Sequence, residues 1–248
     1  MKEFADHFSG HAPDYSAYRP SYPASFIRRL AQSAPDHRLA WDVGTGNGQA
    51  ALLLAAHFER VRATDASADQ LRQALSHPRV DYQLGREDES GLADGAADLV
   101  CAAQAAHWFD HGRFHQEADR ALRPGGLLAV WAYGLAIVDA EVDGLVRDLH
   151  RRLDPWWPPE RRWVDEGYRG LPFPYPDLPT ESWTMEGELD RADYLGYLGT
   201  WSALRRARRG GAGDPLAECA EELSAHWPRE ERRLVRWPLH LRWGHKPG

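Results

Sequence analysis

Between residues 39 and 133 the chain alternates short apolar runs with amphipathic stretches, and this alternation limits the accessible folds more than any other feature. LAWDV (39–43) reads as a strand running into a glycine-rich turn. QAALLLAAHF (49–58), built on Ala and Leu, reads as a helix. VRATD (61–65) is the next strand. ASADQLRQAL (66–75) is the next helix, with Ser67 as N-cap and an apolar stripe at Leu71, Ala74 and Leu75. VDYQLG (80–85) and ADLVCAAQA (97–105) follow as strands, the second apolar enough for burial on both faces. HGRFHQEADRAL (111–122) is helical, RPGG (123–126) stops it, and LLAVWAY (127–133) is a further strand. Such regular alternation implies a parallel sheet covered by helices.

The remainder is less regular. A helical piece (139–153) precedes a Pro- and Trp-rich stretch from Pro155 to Pro179, which is expected to be loop or cover because proline cannot sit in a central strand. ESWTMEGEL (181–189), one helical segment over 193–207, a Gly-rich break at 210–214 and a further helix come next. RLVRWPLHLRWGH (233–245) alternates as a strand, and Pro238 inside it argues for a sheet edge or a bulge. The last strands are expected to be antiparallel additions.

Composition removes several function classes. A chain of 248 residues suits one large domain, or one with an insertion. The formal net charge of −7 disfavours a broad nucleic-acid surface, and Arg205, Arg206, Arg208 and Arg209 read as a solvated helix end. No apolar stretch reaches the length of a membrane span, and the polar start MKEFADHFSGHAPDY lacks the hydrophobic segment of a secretory signal, so the expected compartment is the cytoplasm. The two cysteines, Cys101 and Cys219, make no disulfide framework, and Cys101 reads as core. Of 11 tryptophans, most lie beyond residue 155, as a packing layer or a ring-lined pocket.

The chemistry concentrates at WDVGTGNGQ (41–49), where a strand meets Gly44, Gly46 and Gly48 and a helix follows at once. Glycines there let the backbone turn tightly and approach a ligand. The spacing departs from the dinucleotide fingerprint, since the third glycine comes one residue early, and no G-K-[ST] ending marks a P-loop. Asp42 precedes the first glycine, where it would repel a diphosphate and attract an ammonium group. Asp65 ends the second strand, placed to accept hydrogen bonds from ribose hydroxyls and to repel a 2′-phosphate. Glu87 and Asp88 follow the third strand, by the expected adenine edge. All of these fall at the C-terminal ends of parallel strands, where open α/β sheets bind ligands. Together they describe a seat for a phosphate-free, cationic adenosine, which fits S-adenosylmethionine (SAM).

On these residues the chain resembles the class I SAM-dependent methyltransferases, and in particular the methyltransferase type 11 group with its trans-aconitate methyltransferase-like members. The resemblance rests on WDVGTGNG (41–48), the acid in ATDAS (63–67), LGRED (84–88), ADLVCAAQAAHWFD (97–110) and RPGGLLAVW (123–131). YSAYRPSYP (15–23), TWSALRR (200–206) and VRWPLHLRWGHK (235–246) add to it, and it is weakest over 134–180. It implies a Rossmann-like, doubly wound α/β fold: a mostly parallel seven-stranded sheet with an antiparallel terminal strand and a helical, Pro- and Trp-rich insertion. It implies a single domain over 1–248, divided into an N-terminal lid (1–30), a cofactor-binding core (39–133), a substrate-side insertion (134–180) and completion of the sheet (181–248).

The implied roles are specific. Asp42, Gly44, Thr45 and Gly46 would hold the methionine end of SAM, Asp65 the ribose, and Ala66, Glu87 and Asp88 the adenine. Gln104 and Ala105 would line the methyl-donor side. Tyr15, Tyr18 and Arg19 would form a lid, with Arg19 near the SAM carboxylate. Arg86 departs from the small residue often found before the acid.

Methyl transfer is an in-line displacement, so positioning carries most of the catalysis, and S-adenosylhomocysteine (SAH) is the product. His107 is the candidate base for an acceptor that must lose a proton, and a carboxylate acceptor needs none. Trp108, Trp131, Tyr133, Trp156, Trp157 and Trp201 are candidate walls of a pocket for a small-molecule acceptor bearing a carboxylate or a hydroxyl. No metal is expected, because no H-E-x-x-H or Cys/His cluster occurs. No nucleic-acid or membrane partner is expected, and the protein would be a monomer or a dimer. The competing readings are an NAD-dependent oxidoreductase and a non-enzymatic SAM-binding module.

Overall fold

The computed structural model describes residues 20–211 and 213–248. Helix α1 (Ala24–Ser33) buries Phe26, Ile27, Leu30 and Ala31 on one face. Then come β1 (Leu39–Val43), α2 (Gln49–Leu54), β2 (Arg60–Asp65), α3 (Ala68–Leu71), β3 (Val80–Leu84), β4 (Ala97–Ala103), α4 (His111–Ala121) and β5 (Leu122–Tyr133). The second part holds α5 (Ala140–Arg152), α6 (Arg161–Asp165), β6 (Trp183–Leu189), α7 (Arg191–Gly199), α8 (Ser202–Arg209), α9 (Pro215–His226) and β7 (Arg233–His245).

The strands form one seven-stranded sheet in the order β3-β2-β1-β4-β5-β7-β6. Neighbours pair in parallel from β3 to β5, while β7 runs antiparallel to both β5 and β6. This is the expected doubly wound, mostly parallel arrangement with an antiparallel terminal strand. The chain leaves β1 toward β2 and β3, then crosses back to β4 on the other side of β1. The strand order therefore reverses between β1 and β4, and a crevice opens beyond their C-terminal ends.

Burial on both faces explains the apolar sequence of the central strands: all five residues of β1 are buried. Alternate residues feed two cores. Ala40, Leu99, Cys101, Ala129 and Trp131 face α1, α2 and the helices of the second part. Trp41, Val43, Val100, Ala102 and Val130 face α4 and a cover carrying Val164, Tyr168, Leu171 and Tyr175. The Pro- and Trp-rich stretch is thus cover, as its composition requires. Short acidic or hydroxyl side chains cap the helices: Ser67 on α3, Asp110 on α4, Asp139 on α5, Asp190 on α7 and Asp214 on α9.

Several local expectations are corrected. Pro238 lies in neither an edge strand nor a bulge, because β7 sits between β5 and β6. The β5 ladder ends at Leu239↔Tyr133, one residue short of the proline, so the missing N–H removes no bond to β5. The segment 193–207 is not one helix: α7 ends at Gly199 and α8 begins at Ser202. RPGG does not end α4 ahead of a separate strand; β5 already starts at Leu122 and carries the motif, with a register shift against β4 between Ala97 and Leu99. α3 covers only Ala68–Leu71, and Leu75 is 69% exposed rather than part of a buried stripe.

Candidate active site

The glycine turn lies at the switch point, as β1 leaves the sheet. Gly44, Gly46 and Gly48 have φ of +65°, +59° and +86°, a region that side-chain-bearing residues avoid. The Thr45 amide donates to the Thr64 carbonyl (2.9 Å), which holds the turn against β2. A Cβ on Gly44 would stand 2.6 Å from the Ala105 Cβ and 3.2 Å from the Phe109 ring. A Cβ on Gly48 would overlap the Tyr82 hydroxyl. At Gly46 only the Gln70 Oε1 comes within 4 Å, at 3.8 Å, so that glycine faces open space.

Asp42 lies under this turn and is fully buried. Its Oδ2 accepts from the Thr45 hydroxyl (2.6 Å), and Cys101, its register partner on β4, brings a thiol 3.6 Å from Oδ1. Burial is the main cause that raises its pKa from 3.8 to about 6, and the Asp65 charge adds to the rise while the Thr45 and Cys101 contacts oppose it. A buried carboxylate with another acid nearby gains from a cation above it. Asp65 ends β2, accepting from the Gly46 amide at Oδ2 and the Ser67 amide at Oδ1, both at 2.8 Å. Half-buried Ala66 follows it at the same end of the sheet.

Glu87 and Asp88 reach the same side, and both are engaged by neighbours. Glu87 accepts from the Asp110 amide (3.1 Å), and Arg113 holds Asp88 at 3.2 Å. Arg86 approaches both acids, at 3.7 and 3.8 Å, so the unexpected arginine partly neutralises the pair.

Gln104 leaves β4 with φ +56°. Its side chain is tied to the end of β5: Oε1 accepts from the Tyr133 amide (2.9 Å) and Nε2 donates to the Tyr133 carbonyl (3.2 Å). Ala105 follows, buried against Gly44.

His107 lies in a 3₁₀ turn, Ala106–Trp108, buried, with Nδ1 2.8 Å from the Tyr168 hydroxyl. Burial lowers its pKa to about 3, with smaller contributions from Arg161 and His111. The ring is neutral, and its contact with Tyr168 ties the turn to the cover. The half-buried Trp108 ring lies 4.7 Å from it.

The expected acceptor walls do not form one group. Trp157 and Trp201 come together, 5.6 Å between centroids, with His150 stacked on Trp157 at 5.0 Å. Trp156 reaches the Gly210 end of α8 instead. Trp131 does not join them, because it is fully buried and packs edge-on against Tyr22 (5.6 Å) and Phe26 (5.3 Å) in the core. Tyr133 is buried beside it in sequence. A cavity of about 360 Å³, lined by Leu135, Gly144, Arg147, Asp148, His150 and Arg151, adjoins the His150 ring. Tyr15, Tyr18 and Arg19 lie outside the described residues. Among the described residues no cluster of His, Cys, Asp or Glu could hold a metal ion, and no helix is long and apolar enough to cross a membrane.

Sequence reasoning missed Phe109, Tyr168 and His150. Phe109 stood in the motif beside His107 and could have been suspected. Tyr168 lies 61 positions from its partner, and only the fold brings the two together.

Residues 41–130 match the family described as a methyltransferase domain. The chain is 30% identical over 226 residues to a Dictyostelium discoideum protein named as a methyltransferase, covering 89% of this chain and 86% of the relative. It is 40% identical over 121 residues to a Mycobacterium tuberculosis methyltransferase, 47% of this chain and 48% of that one. A solved structure described as a type II methyltransferase from Anaeromyxobacter dehalogenans aligns with a TM-score of 0.87 at 46% identity, covering 94% of this chain and 100% of that chain.

The doubly wound sheet, with a glycine turn over a buried acid at its switch point, thus defines a class I SAM-dependent methyltransferase. The chain belongs to the methyltransferase family whose domain it carries at 41–130, and its cofactor is S-adenosylmethionine. The residues present fit that cofactor: the turn is open above Gly46, and beneath it lies an acid whose charge a cation would stabilise.

Proposed function

We propose that this enzyme methylates a small-molecule acceptor and that the β1 turn is the seat of the cofactor. The observation that carries this reading is Asp42, a fully buried carboxylate beneath a glycine turn that is open at Gly46. Gly44, Thr45 and Gly46 hold the methionine end by backbone approach, and Asp42 supplies the negative charge below it. Asp65 and Ala66 take the ribose and the adenine face, with Glu87 and Asp88 at the adenine edge. Ala105 and the main chain of Gln104 border the donor side. SAM, when bound, supplies a methyl group already activated on a sulfonium. The protein's contribution is then to orient two reactants and exclude water, which can lower a barrier by roughly 7–11 kcal/mol. Domain roles follow the sequence division into a cofactor core over 39–133, an acceptor-side insertion over 134–180 and completion of the sheet over 181–248, while the expected lid over 1–30 cannot extend into α1, whose apolar face belongs to the core.

On the acceptor side, Trp157 and Trp201 supply aromatic walls, with Trp108 beside the donor. The cavity beside His150 is of small-molecule size and is lined by Arg147 and by an Arg151–Asp148 ion pair, and Arg147 favours an acceptor bearing a carboxylate. Such an acceptor needs no base, in keeping with a neutral His107. A cytoplasmic setting belongs to this reading, supported by two buried, unpaired cysteines.

Calorimetric titration with SAH tests the seat. Asp65→Ala should weaken binding at least tenfold, and unchanged affinity contradicts the ribose assignment. A screen of small acids paired with their amides tests the acceptor. Methylation of acids alone is expected, and turnover of the amides alone would exclude a carboxylate acceptor.

A further inference from the structure

Among the described residues, two non-glycine residues have positive φ: Gln104 at +56° and Tyr168 at +60°. They lie on different elements, yet both act on the loop 104–110 between β4 and α4. Gln104 opens that loop. Its amide donates to the Trp131 carbonyl (2.8 Å), and its side chain exchanges two hydrogen bonds with the main chain of Tyr133. Gln104 thus extends the β4–β5 ladder by one step while its backbone turns out of the sheet. Tyr168 comes from the cover. Its amide donates to the Trp163 carbonyl (2.7 Å), and its fully buried hydroxyl lies 2.8 Å from the His107 Nδ1 in the middle of the loop.

The loop fixed in this way rests on the glycine turn. Ala105 and Phe109, on either side of the His107 turn, occupy the space beside Gly44 that a side chain would fill. Non-glycine residues persist in this backbone region only where their surroundings over-determine them, and such residues gather at functional sites. Here the surroundings are two sets of hydrogen bonds that meet on one loop, and the loop's far side is the proposed cofactor seat.

We propose that Tyr168 is a positioning residue for the cofactor: together with Gln104 it clamps loop 104–110 against Gly44, and cofactor affinity depends on that clamp. The proposal rests on the reading of the β1 turn as the seat. The hydroxyl acts through His107 and touches neither reactant. Burial keeps that imidazole uncharged, so the contact is a neutral hydrogen bond that does not vary with pH across the physiological range.

Tyr168→Phe removes the hydroxyl and keeps the ring. The readouts are SAH affinity by calorimetry and hydrogen exchange along the chain in the absence of ligand. We expect a dissociation constant raised about tenfold, exchange of residues 105–109 accelerated at least tenfold, and unchanged exchange in β1 and β4. A dissociation constant within twofold of the wild type overturns the proposal, as does unchanged exchange in the loop. Gln104→Gly is the second variant, needed if Tyr168→Phe does not fold. It relieves the backbone yet removes the clamp, so affinity should fall by a similar factor, and equal or tighter binding overturns the proposal. Failure of the seat itself looks different: the wild type would not bind SAH, or Asp65→Ala would bind as tightly as the wild type, and the clamp would fall with it.

Discussion

Asp42 gives up its hydration on folding and receives in return the Thr45 hydroxyl, the Cys101 thiol and a main-chain contact from Ala51. Its pKa therefore rises to about 6 in the folded protein. A carboxyl raised in the folded state contributes stability below its unfolded pKa, and that contribution is lost as pH rises through about 6. At pH 8 the ligand-free protein carries this cost in full, up to about 3 kcal/mol. Asp42→Asn should then raise the urea midpoint of the ligand-free protein at pH 8 and leave it nearly unchanged at pH 4. A lower midpoint at pH 8 would mean that the carboxylate is stabilised by its neighbours. The buried acid reads as a stability cost retained for binding. In the sequence Asp42 was legible because it preceded a glycine run. Cys101 was not, since an apolar strand gives no hint that one of its residues faces a carboxylate.

At the scale of elements, the β1 turn depends on what lies beside it. Gly48 has φ +86°, and a side chain there would overlap the Tyr82 hydroxyl of β3. Gly48→Ala should cost about 2 kcal/mol or more in denaturant unfolding, the sum of backbone strain and a displaced tyrosine. A loss under about 0.5 kcal/mol would show that Tyr82 moves aside freely. The limits of β1 and β7 were legible to the residue, because apolar alternation bounded by Gly, Pro and charge marks strands well. The break between α7 and α8 was not. α7 ends at Gly199, and the buried Trp201 has an extended backbone (φ −67°, ψ 128°) ahead of α8, a turn that one glycine in a helical pattern does not announce. His107 shows the same limit: its place after β4 suggested chemistry, and only the fold revealed Tyr168 beside it.

For the whole molecule, the sheet order places β1 and β4 side by side and so creates the crevice. The parallel half followed from alternation in the sequence, and the position of β7 did not. Nothing local tells a proline-bearing strand that it will be flanked on both sides, and the tolerance arises from where the β5 ladder ends. Because the proposed seat draws on β1, β2 and β4 together, a ligand there should stabilise the fold as one unit. SAH at one hundred times its dissociation constant should add about 2.7 kcal/mol, or roughly 5–10 °C in melting temperature for a chain of this size. A saturating ligand that leaves the melting temperature unmoved would place its site outside the cooperative core.

The most direct measurement is SAH affinity of the wild type from pH 5 to pH 8, beside Asp42→Asn. On the proposed reading the ligand's ammonium would favour ionised Asp42, whose pKa in the ligand-free protein is about 6. Affinity should hold constant above that pH and fall toward tenfold per pH unit below it, while the Asn variant binds weakly with no such slope. A wild-type profile that stays flat down to pH 5 would contradict a cation seated over the Asp42 carboxylate.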